Sequence, residues 1–462
     1  MASTLTLLLL IIFSISLHVS NATFVLPILK DTKNSQYFTT FLVGTPPSTR
    51  VYLVIDLSNK WSWFTCDLYG YNNTTNPSIT SYNVPCNSRK CERYAGQGNF
   101  CVDDKCGVYA YTRWSNGLYA VALHQDTTTL YKLTQQNSLA QLTKTSLPHF
   151  PFSCADKGPL KGLSPYTKGV ITLAKVPNSF HSQISSTFKT PRKFSLCLPT
   201  SFSRGYNGAI YFGGTPNYLS KSLITTPFIV NPNSTALIYS IGEASVEYFI
   251  KVTSIEVDKT PIRFSSSLLS FDKNGIGGTK ISTLDPYTVL HSSIYKALID
   301  VFVSKATAMK MTRVAPVAPF GACFNAKSVV NSAKTGFNVP VIDMILDGKS
   351  SLLHNKNNAR WRIYGANSMV KVSDDVLCLG FVDGGLESRT SIVIGGKQME
   401  DNLVEFDLES NKLGITSSLL RMDDQKHLPL KETRKCSGSA RMSSIFGSVK
   451  LKDRDLNCND GA

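Results

Sequence analysis

The chain is short of acid. Among 462 residues, 32 Asp and Glu face 48 Lys and Arg, for a formal net charge of +16 at pH 7 and a pI of about 9.3. That balance admits nucleic acid, acidic polysaccharide or an acidic protein as partner. A second lack argues against nucleic acid. No basic run is interleaved with aromatics, and no cysteine and histidine spacing fits a zinc finger. Cys86, Cys91, Cys101 and Cys106 cluster with no histidine among them, so they read as two local disulfides rather than metal ligands. No metal and no cofactor are expected. Periodic helical stretches are few, while Ser, Thr, Val and Ile are abundant, which favours an all-β architecture. Beyond residue 22 no apolar stretch is long enough to span a bilayer.

The opening is apolar from Leu7 to Leu17 and ends on Ser20-Asn21-Ala22. It reads as a secretory signal over residues 1–22, although the basic n-region is reduced to the α-amino group. Secretion makes the 11 cysteines candidates for disulfides. It also gives meaning to the sequons at Asn72, Asn73 and Asn233.

The most informative stretch is Val51–Cys66, an apolar run ending at Asp56, with Ser58 two positions on and then Trp61 and Trp63. Upstream, Tyr37–Pro47 is a strand closed by a Gly and Pro turn. Strand, turn, strand, acid, Trp: this resembles the first catalytic loop of the pepsin-like aspartic peptidases. The resemblance implies a two-lobed, all-β barrel fold with a few short helices. In that family the acid stands in Asp-Thr-Gly; here the triplet is Asp56-Leu57-Ser58.

The chain in order fits the same plan. Tyr109–Leu130 predicts a hairpin turning at Ser115-Asn116-Gly117. In the family it would be the flap over the cleft, with its tip reading Tyr111-Thr112-Arg113-Trp114 where two glycines are usual. His149–Cys154 reads as a strand, Gly169–Lys175 as the Gly-rich motif of the lobe, and Ser179–Phe188 as a short helix. The Ser- and Gly-rich residues 198–208 place the lobe boundary, giving lobes over 23–205 and 206–420. In the second lobe, Tyr248–Ile255 and Ile262–Phe264 read as strands and Ser292–Thr307 as a helix. Gly277–Thr283 is the counterpart of the Asp56 loop, and Ile392–Gly396 echoes Gly169–Lys175. Residues 421–462 hold nine Lys and Arg against six Asp and Glu, with little periodic apolar content. They are expected to be disordered.

An aspartic peptidase needs two carboxylates a hydrogen bond apart, sharing one proton because both cannot ionise so close. Where the second Asp is expected, this chain reads Ser282-Thr283-Leu284. Asp285 lies three positions late, before Pro286, and is a poor substitute. Asp56 is therefore expected to be vestigial, a buried acid bonded to Ser58 and Ser282. The expected protein is not an enzyme.

The second-lobe segments Gly277–Thr283, Pro286–Leu290, Ser293–Ala297, Arg313–Cys323 and Thr390–Gly396 look like one plant branch of that family. Its members are the extracellular dermal glycoproteins, the basic 7S globulins and the TAXI-type xylanase inhibitors. The resemblance implies an apoplastic, proteolytically inactive protein. It implies disulfides Cys66–Cys154, Cys197–Cys436 and Cys323–Cys378, with Cys458 left over. It also implies inhibition of a microbial glycoside hydrolase, a family 12 endoglucanase or a xylanase, by arginines placed in the active-site groove. The matching positions are Arg313 and Arg389. Glu387 lies two residues before Arg389 and could pair with it or repel an acidic site. Two alternatives stand beside this reading: an aspartic endopeptidase with a divergent site, and a storage or ligand-binding protein like the basic 7S globulins.

Overall fold

The computed structural model describes residues 22–46, 48–67, 78–96, 100–115, 117–136, 139–200, 208–216, 223–234, 243–350 and 359–420. All but the last residue of the expected signal segment, the Asn72 and Asn73 sequons, Cys436, Cys458 and the basic tail lie outside them.

The architecture is mostly β, with a few short helices. Its spine is an antiparallel platform drawn from both halves of the chain. Thr23–Asp31 pairs with Gly208–Phe212, which pairs with Lys193–Cys197. Lys193–Cys197 then pairs with Leu403–Asp407 of the other half, Leu403–Asp407 with Lys412–Ile415, and that strand with Ile224–Ile229. Counting Gly208–Phe212 with the N-terminal strands on which it pairs, three strands come from each half. At the central pairing Phe194 lies opposite Phe406, with ring centroids 4.5 Å apart and planes 5° apart. Stacked aromatics buried across a strand pair add to the area term.

A buried charge cluster fastens the same platform. Glu400 is fully buried and accepts from Tyr37 Oη at 2.8 Å and Lys397 Nζ at 2.8 Å, and it pairs with Lys30 Nζ. Lys30 and Tyr37 come from the N-terminal half, Lys397 and Glu400 from the C-terminal half. Burial, then the carboxylate beside it, push the Tyr37 hydroxyl well above its ordinary value.

Four disulfides lie wholly within the described residues: Cys66–Cys154, Cys86–Cys101, Cys91–Cys106 and Cys323–Cys378. Cys197 is also disulfide-bonded, and its expected partner lies outside the described residues. Strand bounds differ from the sequence reading where long-range pairing decides them. The strand expected to begin at His149 begins at Leu139, because Gly117–Gln136 offers a partner along its whole length. The strand expected over Tyr248–Ile255 divides into Phe249–Ile250 and Val252–Val257, which pair with different neighbours. Ile262–Phe264 is not a strand; the short pairing falls at Thr260–Pro261. The two expected helices run Phe180–Phe188 and Ser292–Ala308.

Candidate functional site

Two loops of matching construction face each other. Thr49–Asp56 runs parallel to Gly169–Thr172, with Ile55 opposite Ile171 and Asp56 opposite Thr172. In the other half Thr279–Ile281 runs parallel to Ile392–Ile394, with Ile281 opposite Ile394. Ser282 thus follows Ile281 as Asp56 follows Ile55. Thr283 Oγ1 donates to the Ile55 carbonyl at 2.6 Å and ties one loop to the other.

Asp56 is 3% exposed. Its Oδ1 accepts from Ser58 N at 2.7 Å, Ser58 Oγ at 2.6 Å and Asn59 N at 3.2 Å. Burial pushes the carboxyl up, the bonds from Ser58 and Asn59 pull it down, and the charge on Glu247 adds to the rise. The expected bond to Ser282 is not formed. Ser282 Oγ is turned into its own loop, accepting from the amides of Leu284 at 3.2 Å and Asp285 at 3.3 Å. A serine hydroxyl serves its own backbone in this way wherever the turn brings amides within reach.

The next two residues both engage the N-terminal half. Leu284 is 8% exposed and packs with Val54, Trp61, Trp63 and Val170 of the N-terminal half. Asp285 is held by Arg113, whose Nη1 donates to Asp285 Oδ2. Arg113 sits at the tip of the hairpin formed by Lys105–Thr112 and the strand from Gly117, with Thr112 opposite Gly117. The tip is further tied down by Asn59 Nδ2 and Trp63 Nε1, which donate to the Tyr111 carbonyl at 2.7 and 3.2 Å. The arginine that stands where a flap glycine is usual is thus the residue that closes the hairpin onto the opposite half.

Sequence reasoning missed a cluster beside Asp56. Glu247, 6% exposed, accepts from Lys280 Nζ at 2.7 Å and Ser245 Oγ at 3.1 Å. Lys175 Nζ lies over the faces of Phe228 and Tyr248, 5.4 and 5.3 Å from the ring centroids. Burial lowers its ammonium pKa to about 8, with Glu247 opposing the shift. Lys175 closes the Gly-rich motif and could have been singled out; nothing in the sequence marks Glu247.

The candidate binding arginines lie elsewhere, both exposed on the C-terminal half. Arg313 opens a hairpin whose arms pair Arg313 with Phe324 and Val314 with Cys323. The hairpin is fixed by the Cys323–Cys378 disulfide, by Phe320 against the Tyr287 ring at 4.8 Å, and by Gly321 N donating to Tyr295 Oη at 2.9 Å. Arg389 sits in the loop after Phe381–Asp383. That loop is held by Gly384 N to the Leu290 carbonyl at 2.7 Å and by His291 N to the Ser391 carbonyl at 2.8 Å. Among the described residues no carboxylate pairs with either guanidinium, Glu387 included. At the third sequon, Asn233 is half-buried and Nδ2 donates to the Lys273 carbonyl at 3.3 Å.

Comparison with known proteins gives the same frame. Two family models match, one described as xylanase inhibitor N-terminal over residues 37–214 and one as xylanase inhibitor C-terminal over residues 247–417. The chain is 38% identical over 414 residues to the probable aspartic proteinase GIP2 of Nicotiana benthamiana, covering 86% of this chain and 89% of that one. It is 34% identical over 380 residues to gamma conglutin 1 of Prunus dulcis, covering 81% and 82%. Among solved structures it is similar to edgp, with TM-score 0.77, 36% identity and 86% and 95% coverage. It is also similar to conglutin gamma, a basic 7S globulin from lupine seeds, with TM-score 0.70, 30% identity and 92% and 98% coverage. Both halves matched in order, on a shared pepsin-like fold: the chain belongs to the xylanase-inhibitor family of aspartic-proteinase homologues.

Proposed function

We propose that this chain is a secreted, apoplastic protein without proteolytic activity that binds and inhibits a microbial cell-wall-degrading glycoside hydrolase. The target class is a family 12 endoglucanase or a xylanase. Arg313 and Arg389 enter its active-site groove. The observation that carries the proposal is that each of these guanidiniums is exposed, pairs with no carboxylate among the described residues, and is mounted on a loop fastened at both ends. A retaining glycosidase presents two carboxylates about 5 Å apart. A guanidinium fork bonds a carboxylate bidentately and stays charged at every working pH. Loops already held in place lose little freedom on binding.

Ser282 stands where a second catalytic carboxylate would be. Asp285 is occupied by Arg113 and Leu284 is buried with apolar residues of the N-terminal half, so on this reading Asp56 has no partner with which to activate water. The likeness to conglutins and basic 7S globulins supports a second reading, a storage or ligand-binding protein with no enzyme target.

The test is a time-resolved titration of a fungal family 12 xyloglucan endoglucanase, and in parallel a xylanase, with the mature protein. Immediate loss of hydrolase activity, complete near equimolar and relieved by Arg389→Ala, is the expected result. Slow loss that deepens with time and stops with pepstatin would mean proteolysis. No effect on either hydrolase would leave the storage reading ahead.

A further inference from the structure

We infer that the turn Phe271–Gly277 is a further contact element of the same binding surface, with Ile276 and Leu386 forming an apolar rim around Arg389. This inference rests on the proposed function and names the part of the surface that sets its strength. The backbone brings the two segments together. Gly277 N donates to the Arg389 carbonyl at 2.8 Å, and Ile392 N to the Gly278 carbonyl at 3.1 Å. Those bonds continue the parallel pairing of Thr279–Ile281 with Ile392–Ile394 outward to the surface. Ile276 therefore stands beside Arg389 across that pairing, and Leu386 three residues before it in its own loop. Ile276 is 41% exposed and Leu386 67% exposed.

The turn that carries Ile276 is built to hold one shape. Asp272 Oδ1 accepts from Asn274 N and Ile276 N, both at 2.8 Å. Asn231 Nδ2 donates to the Gly275 carbonyl at 2.8 Å, and Phe271 and Gly277 form a bridge. Gly277 has φ +110°, and a Cβ there would stand 2.2 Å from the Ser270 carbonyl oxygen. Only glycine permits this approach. An exposed isoleucine on a fixed turn loses no backbone freedom when it is covered. Apolar contacts that ring an arginine exclude water and strengthen its bond to a carboxylate, the arrangement found at the energetic centres of interfaces. The partner that fits is a protein whose acidic groove is bordered by apolar wall: the glycoside hydrolase, not a free glycan.

The experiment compares the wild type with Ile276→Asp, Ile276→Val, Leu386→Asp, Arg389→Ala and Ile79→Asp in inhibition of the family 12 endoglucanase. Ile79, 82% exposed in the N-terminal half, is the control for adding a charge at an exposed apolar site. The expected result is inhibition weakened about tenfold or more by Ile276→Asp and by Leu386→Asp, and retained by Ile276→Val and Ile79→Asp. Thermal unfolding of all variants should match the wild type. Loss with Arg389→Ala but not with Ile276→Asp would overturn this inference and leave the proposed function standing. Equal loss with Ile79→Asp would also overturn it, since the effect would be one of net charge. A wild type that inhibits neither the family 12 endoglucanase nor the xylanase would overturn both.

Discussion

Removing the guanidinium at the hairpin tip tests whether Arg113 closes the space between the two halves. In Arg113→Ala the carboxylate of Asp285, whose side chain is 9% exposed, loses its ion partner while staying mostly out of water. Breaking a fully buried pair costs about 3–5 kcal/mol. The Arg113 side chain is 44% exposed, so water replaces part of what is lost, and about 1–2 kcal/mol is expected. That cost should fall on the hairpin first, because Arg113 sits at its tip, between Thr112 and the strand from Gly117. Amides from Tyr111 to Tyr119 should exchange with deuterium about tenfold faster, equivalent to about 1.4 kcal/mol of local opening, while the platform strands are unchanged. Asp285→Asn should produce the same local change. The double variant should cost no more than about the larger single effect, a coupling of roughly 1 kcal/mol. Neither variant should cleave a peptide substrate, since Leu284 and Ser282 remain. Strictly additive effects of the two substitutions, or unchanged exchange at the tip, would refute the closure.

Three further outcomes follow from buried charge. Glu400→Ala should lower stability by about 3–5 kcal/mol in urea unfolding, because it strands Lys30, Lys397 and the Tyr37 hydroxyl between the two halves. A change below about 1 kcal/mol would remove that cluster's role. Lys175→Met should stabilise the protein at pH 7 by about 1–3 kcal/mol, since the folded state holds the ammonium pKa at about 8 against 10.5. The folded wild type releases that proton first as pH rises, so the gain should shrink between pH 8 and 10.5. His124 and His181 are both buried with pKa lowered from 6.5 to about 4, chiefly by burial. The unfolded chain takes up those protons first, so stability should fall as pH drops from 6.5 towards 4. The slope is about 1.4 kcal/mol per pH unit for each histidine. Asp56, raised by burial, opposes this above 3.8. Urea midpoints at pH 6.5 and 4.5, with His181→Gln lowering the slope, check the sign.

The two catalytic-type loops were legible because a strand buried on both faces needs a continuous apolar run, and Val51–Ile55 and Ile392–Ile394 supply one. Their parallel partners were legible as an internal echo. The hairpin was legible from Asn-Gly chemistry, and its register places Thr112 opposite Gly117. What the sequence did not disclose are pairings set only when the chain is folded. Arg113 and Asp285 are 172 residues apart, and Lys30 and Glu400 are 370 apart. A short strand such as Thr260–Pro261 has too few residues for a period to register, so its place was misjudged. The bond expected between Asp56 and Ser282 failed for a local reason: the serine hydroxyl had two amides of its own loop within reach. Such competition is invisible without the turn's geometry.

On the proposed function Asp56 has no catalytic partner, and the residues that pack beside it also change what the scaffold can do. A peptidase must open its flap to admit a substrate and close it again, so the hairpin belongs to the less stable part of the fold. Here Leu284 packs across the gap and Arg113 spans it, so the two halves gain contacts that a working cleft has to leave unmade. Together with the shared platform and the Glu400 cluster, they fix one half against the other. On the proposed function this rigidity serves the surface rather than the cleft. Arg313 and Arg389 are carried on separate loops and must reach one groove together. The effective concentration of the second arginine, once the first has bound, depends on how tightly the scaffold holds their spacing. Loosening the interior should therefore weaken inhibition even where no contact residue is touched. Arg113→Ala, far in sequence from both arginines, is the variant in which that coupling would be seen as a weaker inhibition constant with both loops intact.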